Sequence, residues 1–186
     1  MKETNAHAVK VEGGDADIAA RIQAMTRAGI PVMGHLGFTP QSVNTLGGFR
    51  VQGRGPGDQE RMVEEARRVE DAGAFSLVLE LVPAAVAKTV TAAVHIPTIG
   101  IGAGPGCSGQ VQVVTDLLGL DSWRPKHARA YADLGSTILG AARAYAADVE
   151  AGTIPGPTET VRMDDAVLAE VLGRSAMDTA MEVPVE

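Results

Sequence analysis

Five short runs rich in Val, Ile and Leu alternate along this chain with segments of helical periodicity, and most of them stop at glycine or at a charged residue. The runs fall at residues 9–12, 31–35, 75–80, 97–101 and 111–114. Helical patterns are predicted over 18–27, with Asp17 as cap and Gly29 just past the end, and over 58–70, closed by Gly73. Others are predicted over 83–94, where Pro83 suits a first helical position, and from Pro125 to about Glu150. Strand–helix alternation joins parallel strands by crossovers, so an α/β fold with helices outside the sheet is expected. A closed (β/α)8 TIM barrel takes eight strands and typically about 250 residues. The 186 residues here offer five strands. They form either a small open α/β sheet or the C-terminal five βα units of such a barrel.

An internal repeat favours the barrel. Residues 1–12 align with 69–80, so that Asn5 falls on Gly73 and Glu12 on Glu80, each glutamate at a strand end. The second copy follows a full helix, whereas the first has room only for a last turn. The expectation is a chain that starts inside a helix and lacks the strands before it. Residues 1–156 are read as the partial barrel domain and 157–186 as a C-terminal helix (163–172) with a weakly ordered tail.

Charge and cysteine content narrow the function classes. A net charge of -7 argues against nonspecific nucleic-acid or anionic-membrane partners. No apolar run reaches the roughly 18 residues of a spanning helix, and the first five residues lack the basic-then-apolar build of a secretory signal. One cysteine, Cys107, makes no internal disulfide, and the chain reads as cytoplasmic.

Barrel enzymes place catalytic groups at the C-terminal ends of strands. Lys10 and Glu12 share one face of the first strand, opposite Val9 and Val11, and Gly13-Gly14 then admits a ligand close to the backbone. A solvated strand end is the alternative. Glu80 closes an apolar strand, where a poorly solvated carboxylate suits a general base; a capping contact to the helix at Pro83 is the alternative. His35 sits between Gly34 and Leu36-Gly37 at another strand end, either lining a site or serving as a structural hydrogen-bonder. His7, His95 and His127 are read as structural. Gly104, Gly106 and Gly109 match a dinucleotide-binding spacing, but a strand pattern rather than a helix follows, so a loop at the mouth of the barrel is the better reading. No His/Cys set has zinc spacing. Glu12 and Glu80 suit a hard cation, with further ligands from elsewhere.

The strings VKVEGG (9–14), PVMGHLGFTPQS (31–42), GGFRVQGR (47–54), LVLE (77–80) and IPTIGIGAG (96–104) occur in one order, followed by DLLGL (116–120), PK (125–126) and YADLG (131–135). Together they resemble the 3-methyl-2-oxobutanoate (ketopantoate) hydroxymethyltransferase family over about residues 1–156. The resemblance implies a (β/α)8 barrel that uses 5,10-methylenetetrahydrofolate and Mg²⁺ to make 2-dehydropantoate in pantothenate synthesis. It implies Lys10 as the keto-acid-binding lysine, Glu12 as the metal-associated glutamate, Glu80 as general base and His35 as a histidine lining the site. It also implies homo-oligomerisation. Thr115 stands where many members carry histidine. The two metal-binding aspartates and the substrate-binding serine of the family belong to strands upstream of Met1. The alternatives are an inactive remnant that persists as an interaction partner, and another Mg²⁺-dependent keto-acid enzyme such as a carbon–carbon lyase.

Overall fold

Each strand run carries apolar residues on the face that meets the helices, and the sheet forms by laying those faces side by side. The computed structural model describes residues 3–42 and 53–180. The strands β1 (Val9–Glu12), β2 (Val32–Gly37), β3 (Ser76–Glu80), β4 (Thr98–Ile101) and β5 (Gly109–Gln110) make one parallel sheet in sequence order. Helices α1 (Ala16–Arg27), α2 (Asp58–Asp71) and α3 (Ala84–Ala93) are the crossovers. This is the α/β architecture expected of part of a (β/α)8 barrel.

The core lies between these helices and one face of the sheet. Ile22, Ala66, Val69, Ala87 and Val90 on the helices pack with Val32, Leu36, Leu77 and Leu79 on the strands. Val9 and Val11 join from β1. Small residues set the spacing: a Cβ on Gly34 would lie 2.4 Å from Val69 Cγ1. Behind β4, Thr91 and Thr98 share a 2.8 Å hydroxyl contact, and the Thr98 N–H donates to Ser108 Oγ at 3.2 Å. That pairing returns the glycine-rich loop to the sheet, where Gly109 registers with Ile99. A strand follows the glycine spacing, so no helix N-terminus opens there.

Several boundaries differ from expectation for local reasons. Asp15, not Asp17, caps α1, because its Oδ1 accepts the Ile18 N–H at 2.8 Å once the Gly13-Gly14 turn has ended. Pro83 is the residue before α3 rather than its first. The fifth strand is at Gly109–Gln110, and Val114 already belongs to α4 (Val114–Leu118). Val111, Val113 and Val114 are half or more exposed, so their apolar character signals no buried strand. Pro125 stands first in a turn closed by Ala128 N–H on the Pro125 carbonyl, and no helix starts there. Residues 3–8 form turn and irregular structure, since one isolated helical turn does not hold itself together.

The chain divides into compact units at Met1–Asp133 and Leu134–Glu186. The second contains α5 (Leu134–Glu150) and α6 (Asp165–Ala180), the latter running beyond the expected 163–172 through part of the segment read as weakly ordered. Residues 43–52 and 181–186 lie outside the described residues, and with them most of the GGFRVQGR string and the end of the tail. Among the described residues no helix is long and apolar enough to cross a membrane.

Gly34→Ala is expected to destabilise the protein by about 1–3 kcal/mol through overpacking against Val69, read as a lowered urea midpoint with unchanged slope.

Candidate functional site

Strand side chains alternate faces, so the face opposite the core is fixed once the core is known. It carries Lys10 and Glu12 of β1, Met33 and His35 of β2, Ser76, Val78 and Glu80 of β3, and Ile99 and Ile101 of β4. Glu12 registers with His35, and Glu80 with Gly37, two residues beyond. Three sequence-predicted residues therefore meet. His35 is fully buried, with Nδ1 3.7 Å from Glu12 Oε1 and Nε2 3.3 Å from Glu80 Oε2. Neither nitrogen makes a well-aligned hydrogen bond with the described residues. Lys10 lies on the same face by register, two residues before Glu12, and is exposed. Among the described residues no side-chain hydrogen bond caps α3, so the alternative role for Glu80 as a cap is not realised.

The strand tips are held by backbone contacts. Glu12 Oε2 accepts the Gln41 N–H at 3.1 Å, from a 3-10 turn at Pro40–Ser42. The Gly13 N–H donates to the His35 carbonyl at 2.9 Å, and Arg68 of α2 donates from Nη1 to the Gly14 carbonyl at 2.7 Å. Gly14 is buried against α2, where a Cβ would lie 2.7 Å from Glu65 Cβ. The sequence reading missed Gln41 and Arg68. The first acts through its backbone, which has no residue signature, and the second is an unremarkable arginine until α2 is placed beside the Gly13-Gly14 turn.

Beside this turn, burial pushes Glu65 above the ordinary carboxylate range; Arg61 and Arg68 oppose that shift, and Asp15 and Asp58 add to it. A cavity of about 190 Å³ opens there, bordered by Gly14, Gly37, Arg61 and Glu65.

A hard cation wants oxygen ligands, roughly six of them. Glu12 is an oxygen donor on the site face and fits as one ligand of such a site. No group of three His, Cys, Asp or Glu among the described residues forms a metal cluster by itself.

Comparison with known proteins settles the family. Residues 1–157 match the family described as ketopantoate hydroxymethyltransferase. The chain belongs to this family. It is 54% identical over 183 residues to the 3-methyl-2-oxobutanoate hydroxymethyltransferase of Chloroflexus aurantiacus, covering 98% of this chain and 64% of that protein. To the proteins of the same name from a Nocardioides species and Mycobacterium ulcerans it is 57% and 56% identical over 161 and 156 residues. Those matches cover 86% and 83% of this chain, and 54% and 52% of the respective relatives. The chain thus spans less than two-thirds of the length of these relatives.

The Glu65 shift carries a sign. A carboxyl whose pKa is raised by folding binds its proton more tightly in the native state. Its contribution to stability is full below the unfolded pKa and is lost as pH rises through the folded value. Glu65→Gln removes that dependence. Urea unfolding from about pH 4 to pH 7.5 is expected to show the variant gaining on the unsubstituted protein as pH rises.

Proposed function

We propose that this chain supplies part of an active site that transfers a hydroxymethyl group from 5,10-methylenetetrahydrofolate to 3-methyl-2-oxobutanoate, giving 2-dehydropantoate. The observation that supports this most is His35, buried between Glu12 and Glu80 on the site face of a sheet whose family bears that name. Buried charge-bearing groups gathered at strand tips, with ring nitrogens left without aligned partners, are poor packing choices and good chemical ones.

Each residue has a task in this reading. Glu80 is the general base and takes the C3 proton of the keto acid onto a carboxylate oxygen. His35 Nε2 lies beside Glu80 Oε2, within reach of that carboxylate after a small rotation. Lys10 attracts the anionic keto acid with its ammonium group. Glu12 is held by the Gln41 N–H and would hold Mg²⁺ together with ligands outside this set. Bound there, the ion supplies Lewis-acid polarisation of the 2-keto group, which acidifies the neighbouring C–H. The electron pair released at C3 forms the new carbon–carbon bond to the methylene carbon of the folate co-substrate. The two bonds from that carbon to nitrogen break, water supplies the hydroxyl oxygen, and tetrahydrofolate leaves with both nitrogens protonated, by the C3 proton and the remaining proton of water. Assembly into a homo-oligomer belongs to the same reading.

A second reading, an inactive protein of this fold that associates with another chain, is favoured by α5, whose Ile138, Leu139 and Tyr145 are all at least half exposed. The two are separated by assay, on this chain and on a protein extended upstream to the length of its relatives. Folate-dependent formation of 2-dehydropantoate is expected in the extended protein, with kcat lowered by at least about 100-fold in Glu80→Gln. Lack of both turnover and Mg²⁺ binding in either protein leaves only the second reading. Lys10→Ala is expected to raise the keto-acid KM while leaving the thermal midpoint in place, as removal of an exposed side chain shifts stability by only about 0.5 kcal/mol. Unfolding of that variant would remove Lys10 from the site.

A further inference from the structure

Leu81, the residue directly after Glu80, has φ +50° and is alone among the described non-glycine residues in having a positive φ. A bulky L-residue disfavours this region because its Cβ crowds the backbone carbonyl. The surroundings explain why it is held there. The peptide unit joining Glu80 to Leu81 bridges two strands: its oxygen accepts the Phe38 N–H at 2.8 Å, and its N–H donates to the Ile101 carbonyl at 2.9 Å. Immediately afterwards Val82 is buried in the core and Pro83 precedes α3. The chain must keep the ladder bond at one residue and turn down into the core at the next. A left-handed conformation at Leu81 does both. The neighbouring strand adds a second constraint, since a Cβ on Gly37 would lie 2.2 Å from the Glu80 carbonyl oxygen. Strained backbone of this kind persists only where its surroundings over-determine it.

We propose that Leu81 is a positioning residue for Glu80: its left-handed backbone locks the Glu80–Leu81 peptide between β2 and β4, and so aims the carboxylate beside His35. This rests on the reading of Glu80 as the general base. Leu81 itself acts through the backbone, so what matters at this position is tolerance of positive φ, not apolar bulk. The two requirements rank substitutions in opposite orders. Asparagine tolerates the left-handed region and is polar, whereas valine is apolar and β-branched and resists it.

In the extended protein, Leu81→Val is expected to lower kcat about 100-fold, with the keto-acid KM within about twofold of the unsubstituted value. In the 186-residue chain, the same change is expected to speed amide exchange at Phe38 and at residue 81 by about tenfold or more. Leu81→Asn is expected to keep kcat and both exchange rates within about threefold of the unsubstituted protein. Retained kcat and slow exchange in Leu81→Val would overturn the proposal, as would losses in Leu81→Asn that match those in the valine variant. Where the valine variant does not fold, Leu81→Asn decides by itself: kept activity and slow exchange support the proposal, and loss of either overturns it. If the unsubstituted protein shows no turnover, the reading of Glu80 falls, yet the order of exchange rates still decides whether Leu81 locks the peptide.

Discussion

The parallel register of β1 to β3 is the constraint on which everything else depends. Glu12 faces the same side as His35 because they are paired residues of adjacent parallel strands, and Glu80 joins them two residues further along. A slip of one residue in β1 would turn Glu12 into the apolar layer under α1 and put Val11 in its place. What prevents the slip is close packing on the other face. Gly34 lies too near Val69 for any side chain, and Leu77 and Leu79 are fully buried beside it. The core thus selects the register, and the register assembles the site.

His35 shows what that assembly demands. A fully buried imidazole without aligned hydrogen bonds is unfavourable by about 1–3 kcal/mol for each orphaned group. It lies at 3.3 and 3.7 Å from two carboxylates that could satisfy it with small rotations. Its backbone explains why it stays: the His35 carbonyl accepts the Gly13 N–H, and its neighbours Gly34 and Leu36 belong to the core layer. The ring is carried into the site by a strand that folding places for other reasons, which is how an unsatisfied polar group survives in a marginally stable fold.

Much of this was legible from residues alone, and the failures share a cause. The strands β1 to β4 were readable because Val, Ile and Leu clustered between glycines and charged residues, and burial used that clustering directly. The pairing of Lys10 with Glu12 on one face followed from a period of two. β5 was misplaced because Val111, Val113 and Val114 look like buried residues and are exposed. The helix expected from Pro125 starts at Leu134, directly after Asp133, a residue type that favours the position before a helix. Proline fixes its own φ alike in a turn and in the first turn of a helix, so Pro125 alone does not tell the two apart. Arg68, Gln41 and Leu81 were invisible because each contributes through a backbone group of a distant segment or through its own backbone angle.

A pattern joins those three. The tip of β1 is fastened by Arg68 to the Gly14 carbonyl and by Gly13 to β2. The tip of β2 is fastened by the Phe38 N–H to the Glu80 carbonyl, and the tip of β3 by the Leu81 N–H to β4. Each acid or imidazole on the site face is therefore set by backbone contacts made beside or behind it, the Gln41 N–H on Glu12 among them, and not by aligned hydrogen bonds between the site side chains. Separating support from chemistry in this way leaves the Glu80 carboxylate and the His35 ring nitrogens without aligned hydrogen bonds among the described residues. A site whose groups satisfied one another fully would be better folded and less able to exchange a proton with a bound molecule.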